Sequence, residues 1–226
     1  MLKLRKISHI FKYLFGFPKS VYVNFRLLPF NQALKLPIIV SNKTKLISLN
    51  GEVNLTKVKT GIIRIGFGGT EHIDYTYTRT ILKIDGIVNF KGRAKIGLGS
   101  KFIIHKEAIF SAGERFGITG DTIILCTKKI SIGDNARISW QTIIMDSDHH
   151  PVLDINNNII NNPTEIVIGN GVWIGARCFI LKNTNIDDGC IIAANTTITK
   201  NFSGIKHSVI GGNNAKILKT YIRWYN

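Results

Sequence analysis

The sequence predicts an all-β protein wound as a parallel solenoid, and three observations carry that prediction. Isoleucine returns every sixth residue through Ile168, Ile174, Ile180, Ile186, Ile192 and Ile198. Four places after each of the first five stands a smaller residue: Val172, Cys178, Thr184, Cys190 and Thr196. The same phase reaches back through Ile132, Ile138 and Ile144, and earlier through Ile84, Phe90, Ile96 and Phe102. Neither an α-helix nor a plain alternating strand repeats at six, so the period marks a supersecondary repeat. One large aliphatic and one small residue per hexad fit a three-sided prism. The large residue points inward, the small one fits near the corner, and coils stack as parallel strands about 4.8 Å apart.

Residues 1–43 do not follow the repeat. Leu4, Ile7, Ile10, Phe11, Leu14 and Phe15 fall at helical spacing among Lys3, Arg5, Lys6 and Lys12. That predicts a basic amphipathic helix ending near Gly16-Phe17-Pro18. Two roles are open to it: a lid across the open end of the solenoid, or a peripheral contact with an anionic membrane surface.

The solenoid is expected over residues 44–200. Leu49, Val53 and Leu55 begin it out of register with the main phase, and the Gly-, Thr- and Tyr-rich stretch 61–83 predicts irregular coils or a loop. Gly66-Phe67-Gly68-Gly69 is no phosphate loop, because it lacks the strand–glycine–helix setting and the Lys-Ser/Thr ending. From Ile84 the register is expected to hold to about Met145. It stops at 146–167, where Asp-Ser-Asp-His-His-Pro and a run of asparagines predict a projecting loop about one coil long. Such a loop on a rigid wall is a natural seat of function. Residues 201–226 form the other end, with a short basic helix expected over 214–225 from Ile217, Leu218, Tyr221 and Ile222 beside Lys216, Lys219 and Arg223.

With 30 lysines and arginines against 14 acids, the net charge is +16. Such an excess points to an anionic partner, a membrane face or a phosphorylated cofactor. Nucleic acid is set aside because aromatic-plus-basic signatures are missing. The three cysteines are odd in number and lack metal spacing, and Cys178 and Cys190 occupy small inward slots. A reduced, cytoplasmic setting follows, compatible with work at the inner face of the membrane. Residues 1–18 do not read as a signal peptide, since Lys12 breaks the apolar run and no small-residue cleavage site follows. No apolar run is long enough to span a membrane.

The chemistry-bearing group is Asp146-Ser147-Asp148-His149-His150-Pro151 at the lip of the loop. A carboxylate beside an imidazole can orient it as a general base; the same groups can also bind a metal. The metal reading is the weaker one. It needs three histidines from neighbouring coils, and in the sequence nothing places His105 near His149. No metal is expected.

His150-Pro151-Val152, followed by a loop and then Ile166-Val167-Ile168-Gly169-Asn170-Gly171-Val172-Trp173-Ile174-Gly175, resembles the hexapeptide-repeat acyltransferases. The nearest branch is the sugar O-acetyltransferases related to galactoside and maltose acetyltransferases and to those of capsule and lipopolysaccharide clusters. Ala194, Thr199-Lys200, Gly211-Gly212 and Ala215-Lys216 agree with it. The resemblance covers about residues 84–219. It implies a left-handed parallel β-helix, a homotrimer with active sites between subunits, acetyl-CoA as donor and a carbohydrate acceptor.

Position by position, His150 matches the catalytic histidine; Asp148 or Asp146 would orient its imidazole, Asp148 being the nearer in sequence. Asp146 and His149 are candidates for acceptor binding. Ala176 and Ala194 match positions lining the pantetheine groove, and a backbone N–H near Gly175 or Ala176 would face the tetrahedral oxyanion. Thr199 and Lys200 meet the coenzyme farther along, and Lys216 and Lys219 lie near its phosphates. Trp173 matches a near-constant tryptophan that either borders the groove or packs under the loop. Asn214 stands where the family has proline, and Asn183 and Ala193 replace common glycines. The acceptor-binding Asn and Asp of the galactoside and maltose enzymes have no clear counterparts. The expected reaction is transfer of an acetyl group to a sugar hydroxyl in surface-polysaccharide biosynthesis. The alternatives are transfer to an amino sugar, or a non-catalytic carbohydrate-binding solenoid.

Overall fold

The computed structural model describes residues 2–68, 71 and 73–224, with side chains from Leu14 onward. The side chains of Leu4, Ile7, Ile10, Phe11 and the nearby basic residues, and Gly69, lie outside it. Among the described residues, three parallel sheets form the sides of a prism. Sheet A runs through Ile38–Val40, Ile63–Ile65, Ala94–Ile96, Phe116–Ile118, Arg137–Ile138, Trp173–Ile174, Ile191–Ile192 and Val209–Gly211. We number coils 1 to 8 from these strands. Sheet B follows in each coil (Thr44–Ser48 in coil 1 to Thr197–Ile198 in coil 7), then sheet C (Glu52–Leu55 in coil 1 to Asn185–Ile186 in coil 6). The chain is thus the parallel β-helix that the hexads predict. Ile138, Ile174 and Ile192 stack in one inward row and Ile144, Ile180 and Ile198 in another, all at most 1% exposed.

The hexad phase conceals an irregularity. Ala94 pairs with Phe116 and Gly117 with Arg137, so coils 3 and 4 take 22 and 20 residues, whereas Trp173 pairs with Ile191 after 18. The surplus of four and two residues makes one whole hexad. Ile132 therefore returns to the phase of Phe102 although the register has shifted in between.

The three outward faces differ. Sheet C presents amide and hydroxyl groups, with Asn54 donating to Asn89 and Asn89 to Ser111, both at 3.1 Å. Sheet B presents Ile123, Leu125, Ile143, Met145, Phe179 and Leu181, an apolar wall across coils 4 to 6. Sheet A presents Arg64, Lys95, Gly117, Arg137 and Trp173 in register.

Both ends depart from expectation. Helix α1 spans Leu2–Leu27 and passes straight through Gly16 and Pro18. It continues because its next two turns have a partner. A side chain at Gly16 would run into the Val40 carbonyl, so glycine permits the close approach. The Ser20 hydroxyl accepts the Val40 N–H at 2.9 Å. The Asn24 amide donates to the Ile38 carbonyl at 2.6 Å and accepts its N–H at 3.0 Å. Both side chains are fully buried, so they stand in for the missing neighbour of the first strand. Asn24→Ala leaves a buried donor and acceptor unmatched and should cost about 2–4 kcal/mol. Chemical unfolding and hydrogen exchange at Ile38 would show it; a loss under about 0.5 kcal/mol would mean the helix does not seal that edge.

At the far end the expected helix is replaced by a strand. Lys216–Lys219 runs antiparallel to Val209–Gly211, turning back at Gly212. The last strand of sheet A has an open edge, and pairing that edge outweighs the helical spacing of Ile217, Leu218 and Tyr221. The tail then folds back so that the Trp224 indole N–H donates to the Gly171 carbonyl at 2.6 Å and its ring meets Trp173 at 5.8 Å.

Candidate functional site

The excursion leaves the prism at the corner between sheets B and C of coil 5. Arg137 pairs with Trp173 after 36 residues, two ideal coils, so the prism closes beneath the loop without losing register. The loop is a small hairpin with an antiparallel bridge between Leu153 and Ile159, turned by Asp154, whose carboxylate accepts the N–H groups of Asn156 and Asn158. Its tip bares Val152, Leu153, Ile155, Ile159 and Ile160, with Ile155 98% exposed.

The two aspartates do not act as expected. Asp146 is fully buried, and its carboxylate accepts the N–H groups of Thr127, Lys128 and Lys129 at 2.7–2.8 Å. It therefore staples the loop's root to the corner of coil 4 and is inaccessible to an acceptor. Burial and this adjacent carboxylate push the Cys126 thiol far up, which makes it inert. The Asp148 carboxylate binds Lys182 at 2.5 Å and Asn161 at 3.0 Å instead of the His150 ring. Those two hydrogen bonds hold its carboxyl below the usual carboxylate range. Only its backbone reaches the histidine, the His150 N–H donating to the Asp148 carbonyl at 2.8 Å.

Asn161 and Lys182, which the sequence left unmarked, are the residues that set His150. The Asn161 side chain donates to the His150 carbonyl at 2.8 Å and accepts the Val152 N–H at 2.7 Å, clamping the backbone on both sides of Pro151. Lys182 donates to the Asn161 carbonyl at 2.8 Å and ties the clamp to coil 6. The clamp leaves the His150 ring exposed, with no hydrogen bond to it among the described residues.

His149 adopts a left-handed backbone, φ 64°, supported by its N–H donating to Ser147. That turn brings its ring 5.6 Å from His105, two coils away, a neighbour sequence reasoning did not find. Burial first, then the charges of Lys83 and His149, pull the His105 pKa below 6.5. The neutral ring is thus favoured in the fold, the unfolded chain binds the extra proton, and stability falls as pH drops below about 6.5. Titration of the ring by NMR should place His105 below 6.5; a midpoint above it would sink this account. No three metal-ligating side chains converge among the described residues.

The coenzyme candidates lie elsewhere on the same chain. Trp173 is 41% exposed on sheet A, and its indole N–H donates to Ser139 at 3.1 Å; it packs beside Trp224 and not under the loop. Gly175, Ala176 and Ala194 stack at the corner between sheets A and B, the Asn195 N–H donating to the Ala176 carbonyl. The Gly175 N–H is taken by Ile192, which removes it as an oxyanion donor. The Ala176 and Ala194 N–H groups, one coil apart, have no acceptor among the described residues. Thr199 and Lys200 stand at the B/C corner of coil 7, with the Lys200 ammonium 5.3 Å from the Phe202 ring. Lys216 and Lys219 are exposed on the terminal strand. Sheet B therefore lies between the corner from which the His150 loop leaves the prism and the Ala176–Ala194 corner.

Residues 165–200 match the family described as bacterial transferase hexapeptide (six repeats). The polysialic acid O-acetyltransferase of Escherichia coli O1:K1 / APEC is 30% identical over 135 residues, 59% of this chain and 41% of that protein. The Neisseria meningitidis polysialic acid O-acetyltransferase is 36% identical over 64 residues, 28% of this chain and 30% of that protein. The chain thus spans less than half the length of these curated relatives. The crystal structure of the polySia-specific acetyltransferase NeuO shares the fold, with a TM-score of 0.51 at 22% identity over 84% of this chain and 82% of that one. Residues 165–200 thus carry the hexapeptide repeat of bacterial transferases, and the chain is similar to named sugar O-acetyltransferases over part of their length.

Proposed function

We propose that the protein transfers an acetyl group from acetyl-CoA to a hydroxyl of a surface-polysaccharide sugar, with His150 as general base. The observation that carries this reading is the clamp: Asn161, Asp148 and Lys182 fix the His150 backbone while leaving its ring open to a substrate. The free N–H groups of Ala176 and Ala194 fit an extended amide-bearing chain such as pantetheine. When bound, acetyl-CoA would supply the thioester carbonyl. His150 takes the acceptor hydroxyl proton, and the imidazolium returns it to the departing thiolate. The Ala176 N–H faces the developing oxyanion. Asp148 acts as a positioning residue through the clamp, and Thr199, Lys200, Lys216 and Lys219 supply donors and charge toward the coenzyme's far end. His149, held against His105, is left to contact the acceptor.

The protein works as a homotrimer in this reading. Sheet B stands between the corner of the His150 loop and the coenzyme corner, a second copy would join the two, and two apolar surfaces await one: the outward wall of sheet B and the bare loop tip. Helix α1 also turns Leu14, Phe17, Tyr22 and Phe25 outward, continued by Phe30 and Leu34 and flanked by Lys19 and Arg26. That face suits peripheral binding to an anionic membrane at the cytoplasmic side. No helix of the described residues is long and apolar enough to cross a membrane.

Thermal unfolding with acetyl-CoA tests the donor, since a ligand of the native state raises the midpoint. Mass spectrometry of surface glycans made with and without the protein should show the mass of one added acetyl group per modified hydroxyl. Absence of both signals would leave a carbohydrate-binding solenoid.

A further inference from the structure

The outward cations of sheet A have no role in the reaction just described. Arg64, Lys95 and Arg137 occupy registered positions in coils 2, 3 and 5, and Arg93 and Arg115 flank them at the preceding corner. Stacked coils set neighbouring rungs about 4.8 Å apart. Gly117 leaves the rung of coil 4 empty, and the Arg137 guanidinium leans across it, its Nη1 donating to the carbonyls of Arg115 and Ala136. The result is a groove of about 350 Å³ lined by Arg93, Lys95, Arg115, Gly117, Thr119 and Arg137.

Glu114 lies beside Arg93, whose backbone N–H its carboxylate accepts at 3.1 Å, but that carboxylate is already paired with Lys57. The ion pairs of the described residues engage Lys57, Lys83, Lys91, Lys101, Lys129 and Lys182; none reaches Arg64, Arg93, Lys95 or Arg115. Burial and the neighbouring Arg115 charge lower even the Arg137 pKa. The row of cations ends on Trp173, an aromatic face able to stack on a sugar ring, at the coil that carries the Ala176 corner.

We propose that sheet A, from Arg64 to Trp173, binds the acceptor, and that the acceptor is a saccharide carrying carboxylate or phosphate groups. The inference rests on the acyl-transfer reading for the word acceptor only. Rungs about 4.8 Å apart match the length of a sugar unit better than the longer phosphate step of an extended nucleic acid, and the cationic rungs have no aromatic between them for base stacking. The groove runs from the thioester corner toward the N-terminal coils, so an anionic chain lying in it would present one residue at a time to the histidine.

The test is binding of end-labelled oligogalacturonate, a chain with one carboxylate per sugar, to the full protein by fluorescence anisotropy at two salt concentrations. Maltooligosaccharide of equal length is the neutral control. Binding should weaken with salt, fail for the neutral chain, and drop at least about tenfold in the double variant Lys95→Glu/Arg115→Glu. Lys95→Ala/Arg115→Ala should give an intermediate loss, and circular dichroism should not change, because both side chains are exposed. Unaltered binding in the charge-reversed protein overturns the proposal. So does an equal loss of the acetyl-CoA thermal shift, which would make the groove a coenzyme phosphate site, or tighter competition by double-stranded DNA. If acetyl-CoA produces no shift in the wild type while groove-dependent oligogalacturonate binding persists, the groove stands and the transfer reading falls.

Discussion

His150→Ala should lower acetyl transfer by about 10²- to 10⁴-fold while leaving the acetyl-CoA thermal shift intact. The ring is exposed and makes no hydrogen bond among the described residues, so its loss disturbs little packing. Its backbone remains held by Asn161 and by the Asp148 carbonyl. A loss of activity can then be assigned to the missing base. Asn161→Ala offers the contrasting case: it frees the backbone on both sides of Pro151 but keeps the imidazole. It should reduce kcat by about tenfold or more through misplacement of the base. Should the alanine variant at 150 retain near-wild-type transfer, the general-base assignment is wrong.

The second large effect concerns assembly. Met145→Glu places a carboxylate in the centre of the apolar wall of sheet B, beside Ile143, Leu125 and Leu181. In the proposed trimer, burying an unpaired charge there would cost several kcal/mol, enough to dissociate the copies and abolish transfer together. Mixing sharpens the point. A chain lacking the base (His150→Ala) and a chain with a blocked coenzyme corner (Ala176→Trp) should each be inactive alone. If one copy lends the loop and its neighbour the corner, co-refolding them in equal amounts restores about a quarter of the sites, because each half-site is intact with even odds in a cyclic trimer. Light scattering gives the assembly state, and acetyl transfer gives the restored fraction. A mixture as inactive as its parents would place the whole site within one chain.

Most of the architecture was legible because hexads need only local counting. Ile168 to Ile198 announce the stack without reference to anything distant. The coils from Ala94 to Arg137 escaped because their surplus residues cancel over two turns, so phase agreement hid a shift in register. The terminal helix failed for a tertiary reason: an unpaired sheet edge drew Lys216–Lys219 into a strand against its own periodicity.

The site divides in the same way. His150 is marked as a candidate base by the His-Pro pair beside the loop. The duties of its neighbours could not, because they depend on partners far along the chain. Asp146 looks like Asp148 in sequence, but one faces three amides near position 128 and the other a lysine at 182. Arg93, Arg115 and Arg137 did leave a trace, recurring every 22 residues, the length of coil 3. A search at period six passes over it.

The side-chain plug formed by Ser20 and Asn24, and the reversed strand at the opposite end, also govern what the molecule does in a crowded cell. Parallel strands left bare at either end would template one another, and prisms would polymerise end to end into fibrils. By meeting the first strand with a serine and an asparagine, the chain satisfies that edge without offering a new one. Variants that lose the plug should therefore be judged by their tendency to form filaments as well as by their melting temperature.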